Sequence, residues 1–155
     1  MIHAQVILDS EDSVTGIRVS TLMLHYPRTA VHEQFKTHRM LSSNSDSLRA
    51  MPVEKVIEQV LFNPAMPLFW GKNKKGMVAT QELSPEEIKQ SELDWLEARD
   101  RAVEIAQRFI KRGGHKEFIN RLLEPFVWIN VLVSATSWSN YFFTRIQDDV
   151  QREHS

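Results

Sequence analysis

A chain of 155 residues, 42% hydrophobic and 25% charged, has room for one globular domain with a real core. Its net charge of −1 gives no general attraction to nucleic acid or anionic membrane, so neither is an expected partner and any anionic ligand needs a local cluster of cations. The lack of cysteine excludes disulfides, thiolate catalysis and thiolate metal sites.

The opening Met1-Ile2-His3-Ala4-Gln5 lacks the basic and apolar regions of a signal peptide. The longest apolar run, around Pro125 to Ala135, contains Asn130 and is too short to span a bilayer, so a cytoplasmic protein is expected. Residues 4–8 predict a strand, joined through a polar turn at Asp9–Gly16 to a second strand at Ile17–Leu24, which is rich in β-branched and large apolar residues. Pro27 ends that strand, and Ala30 to Lys36 predicts a short helix.

From Pro52 to Phe62 the apolar positions Val53, Val56, Ile57 and Val60 recur at helical spacing, and Asn63-Pro64 stops the helix. Pro67 to Glu82 reads as an exposed loop centred on Gly71-Lys72-Asn73-Lys74-Lys75-Gly76. It is a solvated loop rather than a phosphate cradle, since it lacks the Walker pattern and its following Ser or Thr. Ser84-Pro85-Glu86-Glu87 is a strong helix start: Ser at the cap, Pro in the first position and Glu completing a capping box. Trp95, Leu96, Ala102, Val103, Ala106, Phe109 and Ile110 then form one apolar stripe that serves as core or subunit contact, and Gly113-Gly114 ends the helix. A short helix at Lys116–Leu123, a buried strand at Phe126–Ala135 and a helix at Trp138–Ile146 complete the reading. The expected class is α+β, with antiparallel strands and long helices packed as a single domain over 1–155.

The segment Thr37-His38-Arg39-Met40-Leu41-Ser42-Ser43-Asn44-Ser45-Asp46-Ser47-Leu48-Arg49 carries the densest chemistry. Two arginines, one histidine, four serines and an asparagine fall within thirteen residues, beside the lone acid Asp46. Guanidinium, hydroxyl and amide groups at that density suit an oxyanion such as a phosphate. No Ser-His-Asp triad and no metal-ligand cluster stands in the sequence, so no metal is expected.

This segment resembles the signature of the flavin-dependent thymidylate synthases: Arg-His-Arg, two residues, Ser, one, Asn, two, Ser, one, Arg. Thr37 stands where the first Arg is usual, as in many phage-like members, while His38, Arg39, Ser42, Asn44, Ser47 and Arg49 are in register. A second segment is similar to the same family: Asn120-Arg121-Leu122-Leu123-Glu124-Pro125, a strand, then Asn140 with Arg145 five residues later. Gln151 and Glu153 fit the polar stretch that follows, so the resemblance runs from about Ile17 to Glu153.

The resemblance implies the α+β fold of a thymidylate synthase-complementing-protein-like domain, short of the helices with which the family usually ends. It implies reductive methylation of deoxyuridylate (dUMP) to thymidylate, with methylenetetrahydrofolate supplying the carbon, FAD the hydride and NADPH the reduction of the flavin. It also implies a homotetramer, to which the Trp95–Ile110 stripe would offer an apolar face. By resemblance, Gln34, Ser47, Arg49, Arg121 and Arg145 line the dUMP pocket, and His38, Arg39, Ser42, Asn44 and Asn140 lie along FAD. Arg49 and Arg121 suit the nucleotide phosphate, whose oxygens match paired N–H donors. Arg145 suits the uracil edge, where fixed positive charge stabilises negative charge developing during hydride attack. Arg145 and Ser47 are thus the catalytic candidates. For Ser47 a hydrogen-bonding role is preferred over a nucleophilic one, because no base stands near it in sequence.

Several positions depart from the family pattern. Ser45 stands where some members have Glu, Ser137 and Ser139 where phage-like relatives often have acids, and Asp46 and Leu48 where small residues are common. Leu48 is bulky enough to crowd the pocket. Two alternatives follow: a related dUMP hydroxymethylase, and a catalytically impaired remnant that keeps nucleotide or flavin binding.

Overall fold

The computed structural model describes residues 1–29, 41–76 and 79–143. The architecture is α+β, an antiparallel sheet with helices. By contact the chain divides into two compact units, one formed by residues up to Asp46 and from Trp128 onward, the other by Ser47–Val127.

The first unit holds four strands, β1 (His3–Glu11), β2 (Arg18–Pro27), β3 (Ser42–Ser45) and β4 (Trp128–Ala135), in the order β1-β2-β4-β3 with every neighbour antiparallel. β1 is longer than residues 4–8, and the turn after it is correspondingly shorter than Asp9–Gly16. The reason lies across the ladder: Asp9 pairs with Ser20, and its Oδ1 accepts from Arg18 Nε at 2.8 Å and Ser20 Oγ at 3.1 Å. The hydrogen-bonded Arg18 guanidinium holds the Asp9 carboxyl below its ordinary range. Register jumps between Val6↔Leu22 and Leu8↔Thr21, so Ile7 is an extra residue in the strand. That shift sets Asp9 on the face that Ser20 and Arg18 share.

The turn is tied by Asp12, whose Oδ1 accepts from Val14 N at 2.9 Å and whose carbonyl accepts from Gly16 N at 2.8 Å. Gly16 sits at φ +67°, a conformation that favours glycine. As Pro27 predicts, β2 ends there. The helix expected at Ala30–Lys36 lies outside the described residues.

β3 was not legible as a strand, because Ser-Ser-Asn-Ser has little intrinsic strand preference. Its partner imposes the conformation, from Ser42↔Ser134 to Ser45↔Val131. The buried strand expected at Phe126–Ala135 is corrected twice. Glu124–Phe126 is a 3-10 turn, and within β4 alternate residues are buried: Ile129, Val131, Val133 and Ala135. In an antiparallel sheet one face can stay open, so Asn130 and Leu132 remain exposed. The covered face packs Tyr26, Leu41 and the four β4 residues against Leu24, Trp138 and Tyr141. Burial pushes the Tyr26 phenol far above its usual pKa. The last described helix, which we number α4, is Ser139–Phe143, with residues 144–146 of the expected helix outside the described set.

The second unit contains α1 (Val53–Phe62), α2 (Pro85–Lys111) and α3 (Lys116–Leu123). Its core joins Leu48, Val53, Val56, Ile57 and Val60 to Val103, Ala106, Ile119, Leu123, Phe126 and Val127. The α2 stripe is narrower than its sequence suggests. Val103 and Ala106 are buried and Trp95, Ala102 and Ile110 partly so, whereas Phe109 is 41% exposed. Along 27 residues the helix outruns the short elements that cover it. Trp95 is fixed by its indole N–H donating to Ala65 O at 2.9 Å and by an edge contact with Phe126.

The loop from Pro67 to Glu82 is more ordered than a solvated loop requires. Lys72 N donates to Gln81 O at 2.7 Å, Leu83 N to Trp70 O at 2.8 Å, and Gly71 bridges Glu82. A Cβ at Gly71 would collide with the Ala79 side chain, so the pairing of these two segments needs glycine there.

The capping box of α2 is formed as its sequence predicts: Ser84 Oγ accepts from Glu87 N, and Ser84 N donates to Glu87 Oε2 at 2.9 Å. Ser84→Ala is expected to cost about 1 kcal/mol, read as a lowered urea midpoint with an unchanged slope. Ser84→Asp, which keeps an acceptor at the cap, is expected to retain most of the stability.

Candidate functional site

Of the ten candidate residues, Gln34, His38, Arg39 and Arg145 lie outside the described residues. Ser42, Asn44 and Asn140 belong to the sheet unit, and Ser47, Arg49 and Arg121 to the helical unit. Each unit gathers its own set of groups.

In the helical unit, the turn that carries Arg49 is fastened to α3. The turn begins at Ser47, whose carbonyl accepts from Ala50 N at 3.0 Å, and Pro52 then leads into α1. Leu48 points into the core at 6% exposure, packed among the residues of the helical cluster. The expectation that Leu48 crowds the pocket is therefore corrected: an apolar side chain beside Val53 and Leu123 is drawn inward. With Leu48 turned in, Ser47 and Arg49 on either side are exposed.

Three side chains of α3 grip this turn. Asn120 Nδ2 donates to Leu48 O at 2.6 Å and Met51 O at 3.0 Å. Lys116 Nζ donates to Ala50 O at 3.0 Å. Arg49 Nη2 pairs with Glu117 Oε1 at 2.8 Å. Glu117 and Arg121 stand four residues apart, neighbours on one helix face. The structure thus brings the two sequence-distant arginine segments to one short helix. Arg121 is exposed and makes no ion pair with a described residue, and the Arg49 side chain is 67% exposed despite its pair. Both guanidinium groups remain reachable by an anion. The Ser47 hydroxyl makes no hydrogen bond with a described residue, so no base among them activates it, which leaves it suited to hydrogen bonding.

In the sheet unit, the open face is polar. Cross-strand partners share a face, so Thr21, Met23 and His25 of β2 lie with Asn130, Leu132 and Ser134 of β4 and with Ser42 and Asn44 of β3. A cleft of about 180 Å³ there is lined by Met23, Asn44, Ser45, Asp46, Asn130 and Leu132. Asn130 Nδ2 donates to Asp46 Oδ2 at 2.9 Å, which leaves its Oδ1 to accept from His25 Nδ1 at 2.8 Å. The His25 ring stacks on Trp128 at 4.9 Å and on His3 at 5.1 Å. Asp46 is held further by its N–H donating to Asn130 O at 3.2 Å and its carbonyl accepting from Arg28 Nη1 at 3.3 Å. The end of β3, just before Ser47, is therefore fixed through backbone and side chain. Asn140 lies in the first turn of α4 and is exposed.

His25, Asp46, Asn130, Lys116, Glu117 and Asn120 were absent from the sequence-derived site. A signal existed for two of them. Asn130 interrupts an otherwise apolar strand, and Asn120 stands on the apolar face of α3 beside Ile119 and Leu123. Their partners are 84 and 72 residues away, beyond the reach of local pattern. Among the described residues, no group of three or more His, Asp or Glu could hold a metal, and no helix is long and apolar enough to cross a membrane.

No protein-family model matches this chain, and no curated protein does. Among solved structures it is similar to the UMP/dUMP methylase PolB from Streptomyces cacaoi bound with 5-Br UMP, at TM-score 0.72 and 15% identity, over 99% of this chain and 83% of that one. The same enzyme bound with 5-Br dUMP matches at TM-score 0.72 and 16% identity, over 99% of this chain and 85% of that one. This likeness establishes the fold.

Proposed function

We propose that the chain is a dUMP-modifying enzyme of the methylase type, and in particular a flavin-dependent thymidylate synthase making thymidylate from dUMP with methylenetetrahydrofolate and NADPH. One observation carries the reading furthest. Arg49 and Arg121, from two segments that resemble one family's motifs, are gathered at α3 of a fold shared with a UMP/dUMP methylase. Two exposed guanidinium groups suit a nucleotide phosphate, where charge-assisted hydrogen bonds are the strong ones.

In this reading Arg49 and Arg121 bind the phosphate of dUMP, and Ser47 and Gln34 hydrogen-bond the nucleotide. Arg145 holds positive charge at the uracil edge, where negative charge develops as the ring is reduced. The open sheet face and α4 supply an exposed hydroxyl from Ser42 and exposed amides from Asn44 and Asn140, a donor and acceptor set that fits a flavin. These residues, with His38 and Arg39, would hold FAD, and FAD supplies the hydride chemistry when bound. The inward turn of Leu48 favours this reading over a remnant with an obstructed pocket. Assembly into a homotetramer in the cytoplasm completes the proposal.

The test begins with colour. The purified chain is expected to be yellow, to release FAD on mild denaturation, and to elute as a tetramer by light scattering. Incubation with dUMP, methylenetetrahydrofolate and NADPH is expected to yield thymidylate by chromatography, with UMP tested in parallel. A hydroxymethylated product would replace the methylation step by hydroxymethylation. A colourless protein that takes up no added FAD would reject the flavin enzyme.

A further inference from the structure

We propose that Asn120 is a positioning residue for nucleotide binding: its buried amide locks the Leu48–Met51 turn onto α3, so that Arg49 and Arg121 meet the phosphate as one preformed unit. This rests on the reading of Arg49 and Arg121 given above.

The argument starts from burial. Asn120 is 1% exposed, the one buried polar residue among those described, on a helix face otherwise given to Ile119 and Leu123. An amide in such a place is costly unless it is bonded. Its Nδ2 bonds two carbonyls of a turn about seventy residues distant, at 2.6 and 3.0 Å. Its Oδ1 is buried and has no hydrogen-bond partner among the described residues, a cost that the two donated bonds have to offset. An apolar side chain would fill the same volume but would leave the Leu48 and Met51 carbonyls without these bonds.

What the amide provides is register. Leu48 and Met51 flank Arg49 and Ala50, and both flanks are pinned by the residue that directly precedes Arg121. Lys116, one turn earlier on the same helix, pins Ala50 between them. Because the carbonyls of Leu48, Ala50 and Met51 are held from α3, the Arg49 backbone cannot shift relative to Arg121 without breaking these bonds. A phosphate bridging two such arginines gains from not having to order them on binding.

The experiment compares dUMP with deoxyuridine, which lacks the phosphate, by calorimetry on the full-length protein, Asn120→Leu and Asn120→Ser. Leucine keeps volume but removes both bonds, and serine is the milder replacement should the leucine variant fail to fold. Wild type is expected to prefer dUMP strongly. In whichever variant folds, as judged by circular dichroism, that preference is expected to shrink about tenfold while deoxyuridine affinity stays constant. A lowered melting temperature with an unchanged dUMP-to-deoxyuridine ratio would show a purely structural role and overturn the proposal. If wild type itself shows no preference for dUMP, the phosphate reading of Arg49 and Arg121 fails, and the proposal falls with it.

Discussion

Replacing Leu123 by alanine is expected to destabilise the helical unit by roughly 2–5 kcal/mol. Leu123 is fully buried at the end of α3, in a cluster that joins α1, α2 and the turn at Phe126. The loss combines the transfer free energy of the missing carbons with the cavity left behind, and a packed neighbourhood closes over it only in part. Against a typical domain stability of about 5–15 kcal/mol, one such change takes a large share. Leu123→Met, which conserves volume, is expected to cost under about 1.5 kcal/mol. Urea unfolding decides the matter: a midpoint unmoved by alanine would mean that the α3 cluster is not load-sharing. The consequence for function is direct, since α3 carries Lys116, Glu117, Asn120 and Arg121.

Arg49→Ala and Arg145→Lys are expected to fail in different ways. If Arg49 holds the phosphate, its removal weakens dUMP binding by about 1.5–3 kcal/mol, the worth of a charge-assisted hydrogen bond. Turnover at saturating dUMP is then largely preserved, because that contact is made equally in ground and transition states. If Arg145 stabilises charge that appears on uracil only during reduction, Arg145→Lys slows turnover by roughly 10²–10³ with little change in affinity. Lysine keeps the charge and loses the planar fork, so the variant probes geometry. Calorimetry with dUMP, beside the rate of flavin reoxidation with dUMP and methylenetetrahydrofolate present, separates the two. Equal losses in both measures for both variants would reject this division of labour.

The elements legible in the sequence were those whose signals are local. α1 follows from Val53, Val56, Ile57 and Val60 and its stop at Asn63-Pro64. α2 begins at Ser84 because the capping box is written within four residues. What escaped depends on a partner far along the chain. β3 is a strand by virtue of β4, and the inward turn of Leu48 depends on a core assembled from three helices. The same holds for the site. Arg49 and Arg121 were legible as chemistry, whereas Glu117 and Lys116 look like ordinary helix residues, and Asn120 shows only as a polar interruption of an apolar face, until the fold brings residues 48–51 against them.

The extra residue Ile7 bears on how this molecule shares a crowded solution with its own copies. Among the described strands β1 is the outer one next to β2, all nine of its residues are exposed, and Val6, Ile7 and Leu8 make it apolar. A strand of that kind would otherwise be a template onto which another chain could zip. Any incoming strand must match the spacing of the N–H and C=O groups that β1 turns away from β2, and that spacing breaks at Ile7. An intruder in step with His3–Val6 is out of step with Leu8–Glu11, and the Asp9–Arg18 pair adds charge to the second half. The edge therefore offers two short footholds in place of one long one, each too brief to seed a stack.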